Sequence, residues 1–209
     1  MDDRSAFLGV TPNDSGCTVA LAFPRFTPGG YRVRLTELRR FDARDDFAGL
    51  HSWIDTELRD IRTPLGASPE PALVADISGG VRGQILLETL RRLQRERLPR
   101  ELRISGIVLT ATGETVTSPA GAGFAKLPRP LAAAALVQVA SGGRLDLEQK
   151  GKLTREFLTQ LEASRQKRAR DDEEPYDLVD AVSLAAYALH RKAAPVVARM
   201  EMGQPRRSA

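Results

Sequence analysis

The chain of 209 residues has few of the side chains that soft-metal and redox chemistry needs. It has one cysteine, Cys17, so no disulfide can form within the chain and a thiolate zinc site is excluded. Two histidines, His51 and His190, are too few for a histidine-rich metal site. Long apolar runs are also missing. No stretch approaches the ~18–20 uninterrupted apolar residues of a membrane span, and the alanine-rich 131–140 is short enough to read as a core helix. The N-terminus, MDDRSAFLGV, has no basic start followed by a long apolar segment. No signal peptide is expected, and a cytoplasmic chain away from membranes is the resulting expectation.

What is present describes a globular chain long enough to bury a core: 42% of its residues are hydrophobic and 28% charged. We expect one domain over 1–194 and a loose tail over 195–209, where little remains to pack. Lys and Arg number 31 against 27 Asp and Glu, a net charge of +4, and the excess is uneven. Residues 91–103 read RRLQRERLPRELR and 165–170 read RQKRAR. Such density suits a polyanion, but a solvated helix face is its more common source.

The order of elements follows from periodicity. AFLGV (6–10) and CTVALAF (17–23) are short apolar strands separated by Thr11-Pro12-Asn13-Asp14, a turn signal. A second turn is expected over Pro24 to Gly30. YRVRLTELRRF (31–41) alternates, with Tyr31, Val33 and Leu35 on one side and Arg32, Arg34 and Thr36 on the other. Three such strands predict an antiparallel meander. Phe47, Leu50, Ile54, Leu58 and Ile61 then recur at helical spacing, with Asp45 or Asp46 as a cap. A loop over 63–71 leads to ALVADIS, a continuous apolar strand of the kind buried on both faces. Ile85, Leu86, Leu90 and Leu93 predict a helix, ISGIVLTA (104–111) another buried strand, and 112–129 a long loop. A helix from Pro130 to about Ala140, a brief strand at RLDL, a helix carrying Leu153, Phe157, Leu158 and Leu161, a charged segment over 165–175 and a last helix after Pro175 complete the chain. The class is α/β, built on a mixed sheet with three antiparallel strands and further parallel ones.

Two acidic positions ask for a reason. Asp76 ends the strand LVAD and is followed by Ser78-Gly79-Gly80. Ligands of α/β sheets gather at the carboxyl ends of strands, and the glycines permit close approach. A turn or cap aspartate for the following helix explains the residue equally well. Asp177 and Asp180 lie three apart, on one face of an otherwise apolar helix. Asp177, in the first turn, can serve the helix dipole. Asp180 needs a partner, because an unpaired buried carboxylate is very costly. A divalent cation shared with Asp76 would serve, and oxygen ligands suit Mg²⁺ or Mn²⁺.

LVADISGGVRG followed by YDLVDAVSLAAYAL resembles the nuclease domain of tailed-phage large terminases, in which a strand ends in Asp before a glycine-containing turn and a late helix opens on a phrase close to DDLVDALALA. ISGIVLTATGE and KLPRPLAAAALVQVASGGRLDLEQKGKLTREFLTQLE resemble that family's middle segments, so the likeness spans most of 6–192. It implies a ribonuclease H-like fold and two-metal hydrolysis of DNA phosphodiesters, with Asp76, Asp177 and Asp180 catalytic and, together with Asp14, holding Mg²⁺ or Mn²⁺. Arg82, Lys126, Arg129, Arg165, Lys167 and Arg168 would hold the DNA backbone by charge, and a packaging protein is an implied partner. The family's first strand carries Gly-hydrophobic-Asp; here the phrase is Gly9-Val10-Thr11, with Asp14 or Glu37 as substitute acids. The departure motivates the alternative of a catalytically degenerate nucleic-acid-binding or assembly module. A junction resolvase of the same fold group is a third reading, weakened equally by Thr11. The family's packaging proteins also carry an ATPase domain ahead of the nuclease, so this chain reads as an excised domain or a free-standing relative.

Overall fold

The computed structural model describes residues 5–27, 30–43, 47–58, 72–78, 81–96, 102–111, 124–166 and 176–203. Strands β1 (Phe7–Pro12), β2 (Gly16–Thr27) and β3 (Gly30–Asp42) form the expected antiparallel meander. β4 (Ala72–Asp76) runs parallel to β1, followed outward by β5 (Arg103–Thr110) and β6 (Phe124–Pro128), also parallel. β7 (Leu145–Leu147) lies beside β3. Among the described residues the sheet therefore has seven strands in the order β6-β5-β4-β1-β2-β3-β7. The helices are α1 (Ala48–Leu58), α2 (Val81–Glu96), α3 (Arg129–Ser141), α4 (Lys152–Gln166) and α5 (Asp177–Gly203).

Strand side chains alternate between faces, and the chain uses this to build two cores. Leu8, Val10, Val19, Leu21 and Leu73 meet Leu50, Trp53 and Ile54 of α1 and Leu86, Leu90 and Leu93 of α2. On the other face, Phe7, Ala20, Val74, Ile107 and Leu109 meet Leu136 of α3, Phe157 of α4 and Leu178, Val182 and Leu189 of α5. Thr11, Thr18 and Asp76 share the alternation of Phe7, Ala20 and Val74, so they belong to the α5 face.

Gly9 sets how close α5 comes. A β-carbon built on it would lie 1.9 Å from the Ala181 carbonyl oxygen and 2.8 Å from the Ala185 backbone nitrogen. The facing helix residues are themselves alanines, and all three positions are small so that backbone can meet backbone. This contact seats the first turns of α5 over the ends of β1 and β2.

Several expectations need correction. β2 continues through Pro24, where a turn was expected. Its pairing with β1 stops at Ala22, so beyond that point β2 is bonded, among the described residues, to β3 alone, and a proline is tolerated on a locally open strand. Residues 124–128, expected within a loop, form the edge strand β6. Ile85 and Leu158, assigned to buried helical stripes, are 48% and 46% exposed. The last helix continues past Pro195 to Gly203. Proline removes one helical hydrogen bond, but the surrounding AAPVVARMEM is rich in helix formers. The caps Asp45 and Asp46, Ile61, the loop 63–71, the glycine pair 79–80, and residues 112–123 and 167–175 lie outside the described residues.

The Gly9 contact yields a stability prediction. Gly9→Ala forces α5 away from β1 and should cost about 2 kcal/mol or more, the scale of core overpacking. Gly151→Ala, where an added β-carbon meets nothing within 4 Å, should stay within roughly 0.5 kcal/mol. Urea unfolding midpoints of the two variants against the parent check both.

Candidate functional site

The sequence-predicted acids Asp76 and Asp177 do come to one side of the sheet. They meet through two threonines. Thr11 on β1 and Thr18 on β2 are register partners, so their β-carbons stand about 4.5–5.5 Å apart on the same face. The Thr11 hydroxyl donates to Asp76 Oδ2 at 3.3 Å, and the Thr18 hydroxyl donates to Asp177 Oδ2. Thr11, Thr18, Asp76 and Asp177 are all buried.

Asp76 is satisfied on its remaining side. Its Oδ1 accepts from the Ser78 amide at 2.9 Å and the Ser78 hydroxyl at 2.6 Å, with the Leu109 amide at 3.5 Å. The contact to Ser78 two residues on is an Asx turn, so the turn role weighed for Asp76 is part of what it does.

Asp177 is held still more firmly, by residues that its own sequence neighbourhood does not reveal. Arg40 on β3 grips it with both arms of its guanidinium, Nε to Oδ2 at 2.7 Å and Nη2 to Oδ1 at 2.8 Å. The same Nη2 donates to Glu156 of α4 at 2.6 Å. Gln160 of α4 donates to Asp177 Oδ1 at 3.2 Å, while its carbonyl oxygen accepts from the amides of Leu178 and Val179 at 3.2 and 3.4 Å. One glutamine thus caps two otherwise orphaned amides of α5 from a neighbouring helix. Asn13 completes the chain by donating to the Thr18 hydroxyl at 3.0 Å. Burial pushes the Asp177 carboxyl upward, but the hydrogen bonds from Arg40, Thr18 and Gln160, with the Arg40 charge, outweigh it and hold the group below its ordinary value.

The other candidates separate. Asp180 turns toward Arg129 at the start of α3, with Oδ2 3.6 Å from the guanidinium Nε. Asp14 is exposed in the β1–β2 turn, where its backbone carbonyl accepts from Arg82 at 3.1 Å. Glu37, the other substitute acid, faces α1 on the opposite side of the sheet, bonded to the Trp53 indole at 3.0 Å and to Arg39. Arg82 and Lys126 are exposed. Arg165 lies within α4 with its side chain outside the described set, and Lys167 and Arg168 lie outside the described residues altogether.

A divalent cation does not fit this arrangement. Hard cations take six or more oxygen ligands, several of them carboxylate. Here both oxygens of Asp76 and of Asp177 already accept protein donors, one of them a full positive charge. A hydroxyl stands where a third carboxylate would help, and among the described residues no cluster of three or more Asp, Glu, His or Cys is placed to hold a metal.

The Arg40–Asp177 pair has a pH signature. Because the folded carboxyl titrates below its unfolded value of about 3.9, its contribution is fully present above that value and is lost as pH falls through the folded one. Breaking a buried pair costs ~3–5 kcal/mol, and the third of Arg40 open to solvent reduces this to roughly 2 kcal/mol. Arg40→Leu should therefore lower stability by that amount at neutral pH, and the gap to the parent should begin to narrow only as pH falls below about 4. Urea titrations across pH 3 to 7, roughly the carboxylate range, measure it.

No family model matches the sequence, and no curated protein matches it. Solved structures do. The human cytomegalovirus terminase nuclease domain, in a Mn-soaked and inhibitor-bound structure, is similar with a TM-score of 0.57 and 14% sequence identity, over 92% of this chain and 86% of that one. A second structure of the human cytomegalovirus terminase nuclease domain is similar with a TM-score of 0.55 at 14% identity, over 93% and 87%. The chain thus has the ribonuclease H-like α/β fold of terminase nuclease domains.

Proposed function

We propose that this chain is a ribonuclease H-like DNA-binding module that does not cleave its ligand. The observation that carries the reading is the Arg40 fork on Asp177, which puts a fixed positive charge on a carboxylate that a nuclease would need for metal. Thr11, bonded to Asp76 in place of a first-strand acid, supports it further. DNA as the ligand is supported by the net charge of +4 and by the fold. Arg82 beside the β1–β2 turn, Lys126 and Arg129 would meet phosphates, with Arg165, Lys167 and Arg168 as further contacts. Such contacts position a duplex without reading its sequence. A packaging-type protein is a further partner on the same analogy.

A second reading has its own support. Asp76 and Asp177 face one side of the sheet through the Thr11–Thr18 pair, in a fold shared with a nuclease domain that was Mn soaked. On that reading Asp76, Asp177 and Asp180, with Asp14, would hold Mg²⁺ or Mn²⁺ for endonucleolytic hydrolysis.

Supercoiled plasmid incubated with the protein and millimolar Mn²⁺ separates the two. The proposal expects intact plasmid; Mn²⁺-dependent nicking that disappears in Asp76→Asn would establish the second reading instead. Fluorescence anisotropy with a labelled duplex should show binding that weakens as salt rises. Arg82→Ala should reduce the log–log salt slope by about 0.9, one phosphate contact. Absence of binding even at low salt would remove DNA as the ligand.

A further inference from the structure

The site faces the problem of holding negative charge without metal. Asp177 on α5 and Glu156 on α4 approach each other closely enough that one nitrogen, Arg40 Nη2, touches both, at 2.8 and 2.6 Å. The two carboxylates bring two negative charges to this point, and Arg40 Nε adds a second bond to Asp177 at 2.7 Å. The Thr18 hydroxyl also points at Asp177. Three carboxylate oxygens, two of Asp177 and one of Glu156, thus surround one cationic centre, and anionic oxygen is the ligand a hard cation takes. The chain supplies that cation as a side chain.

We infer that Arg40 is the resident cation of this site, a covalently tethered guanidinium that occupies the space between Asp177 and Glu156 and keeps divalent metal out. The inference rests on the metal-free reading of the site and adds to it the residue that enforces exclusion. Tethering explains the exclusion. A group fixed to the same chain acts at an effective concentration of at least millimolar order, and the planar fork matches a carboxylate in a way a lysine would not. An incoming ion must shed water and also expel a guanidinium that cannot diffuse away. Removing Arg40 takes away the guanidinium that bridges Asp177 and Glu156, and a divalent ion then relieves their repulsion.

Thermal unfolding with and without Mn²⁺, together with loss of the free Mn²⁺ electron paramagnetic resonance signal, tests the inference without DNA or cleavage. The parent should show no Mn²⁺-dependent rise in Tm and no stoichiometric loss of signal. Arg40→Ala should melt lower than the parent and should regain at least half of the lost Tm on addition of Mn²⁺, with one ion bound. Asp177→Asn added to that variant should abolish the gain. Arg40→Gln, which keeps a neutral donor for Asp177, provides a second variant with a smaller loss of packing and the same expected response. Tight Mn²⁺ binding by the parent overturns the inference. So does a folded Arg40→Ala or Arg40→Gln that ignores Mn²⁺, or failure of both to fold with and without the ion. A variant that folds only with Mn²⁺ supports it. If the variants ignore Mn²⁺ while the parent leaves plasmid intact, the inference about Arg40 fails and the non-cleaving reading stands. Plasmid cleavage by the parent fails that reading itself.

Discussion

The charge-assisted fork between Arg40 and Asp177 is the constraint on which the candidate site depends. It joins β3 to the start of α5, and through Glu156 it joins both to α4. A carboxylate this deep is expensive to bury, and the cost is offset only when nearly every lone pair is met. Here the fork, the Thr18 hydroxyl and the Gln160 amide meet them. The same glutamine satisfies two amides at the head of α5. Removing one member leaves others unpaired in a low-dielectric setting, so the network acts as a unit.

That network is only possible because α5 sits so near the sheet. With a side chain at position 9 the helix would stand off from β1, and the first turn would lift Asp177 away from Thr18 on the adjacent strand. Gly9 therefore carries a chemical consequence as well as a packing one. Van der Waals contact between backbones at Ala181 and Ala185 fixes the height of a carboxylate one turn earlier. Gly83 plays a comparable part on the opposite face, where a β-carbon would meet the Ile77 backbone at 2.6 Å and push α2 off the end of β4.

Much of this was legible in the sequence, and what was not has a physical cause. The meander and the buried strand at 72–76 follow from periodicity, as does a strand at 103–110, although that strand exposes Arg103 and Ser105 where a fully buried one was expected. That Asp76 and the head of the last helix lie on one face of the sheet is what the phrases around them imply. Arg40 did not. Simple alternation through Tyr31, Val33 and Leu35 points Arg39 inward and Arg40 outward. The register shifts where Leu21 faces Glu37 but Ala22 faces Leu35, so Thr36 is an extra residue and the faces exchange beyond it. Leu38 and Arg40 then look toward α5, and Glu37 toward α1. The signal was present as the three-residue gap between Leu35 and Leu38, which breaks period two. Glu156 and Gln160 sat on a polar helix face where nothing marks a residue as a tertiary partner. β6 was obscured by the Gly- and Pro-rich residues before it, and Leu158 by a stripe wider than the face α4 buries.

The threonines and the arginine are linked choices. In a site with a third acid at position 11, the carboxylates of Asp76 and Asp177 would repel that acid across a cross-strand pair, and only a multiply charged ion would hold the group together. A hydroxyl at position 11 removes one negative charge and supplies a donor, which Asp76 uses. With less charge to neutralise, a single guanidinium suffices for Asp177 and Glu156. Changing Thr11 to an acid with Arg40 in place would leave Asp76 facing a like charge that Arg40, committed elsewhere, does not neutralise. Removing Arg40 with Thr11 in place would leave two carboxylates facing each other. Each substitution is costly alone, so the present arrangement is stable against single steps. Shared topology with a nuclease domain at 14% identity therefore fixes the scaffold, whereas the chemistry follows from which charges the strands present.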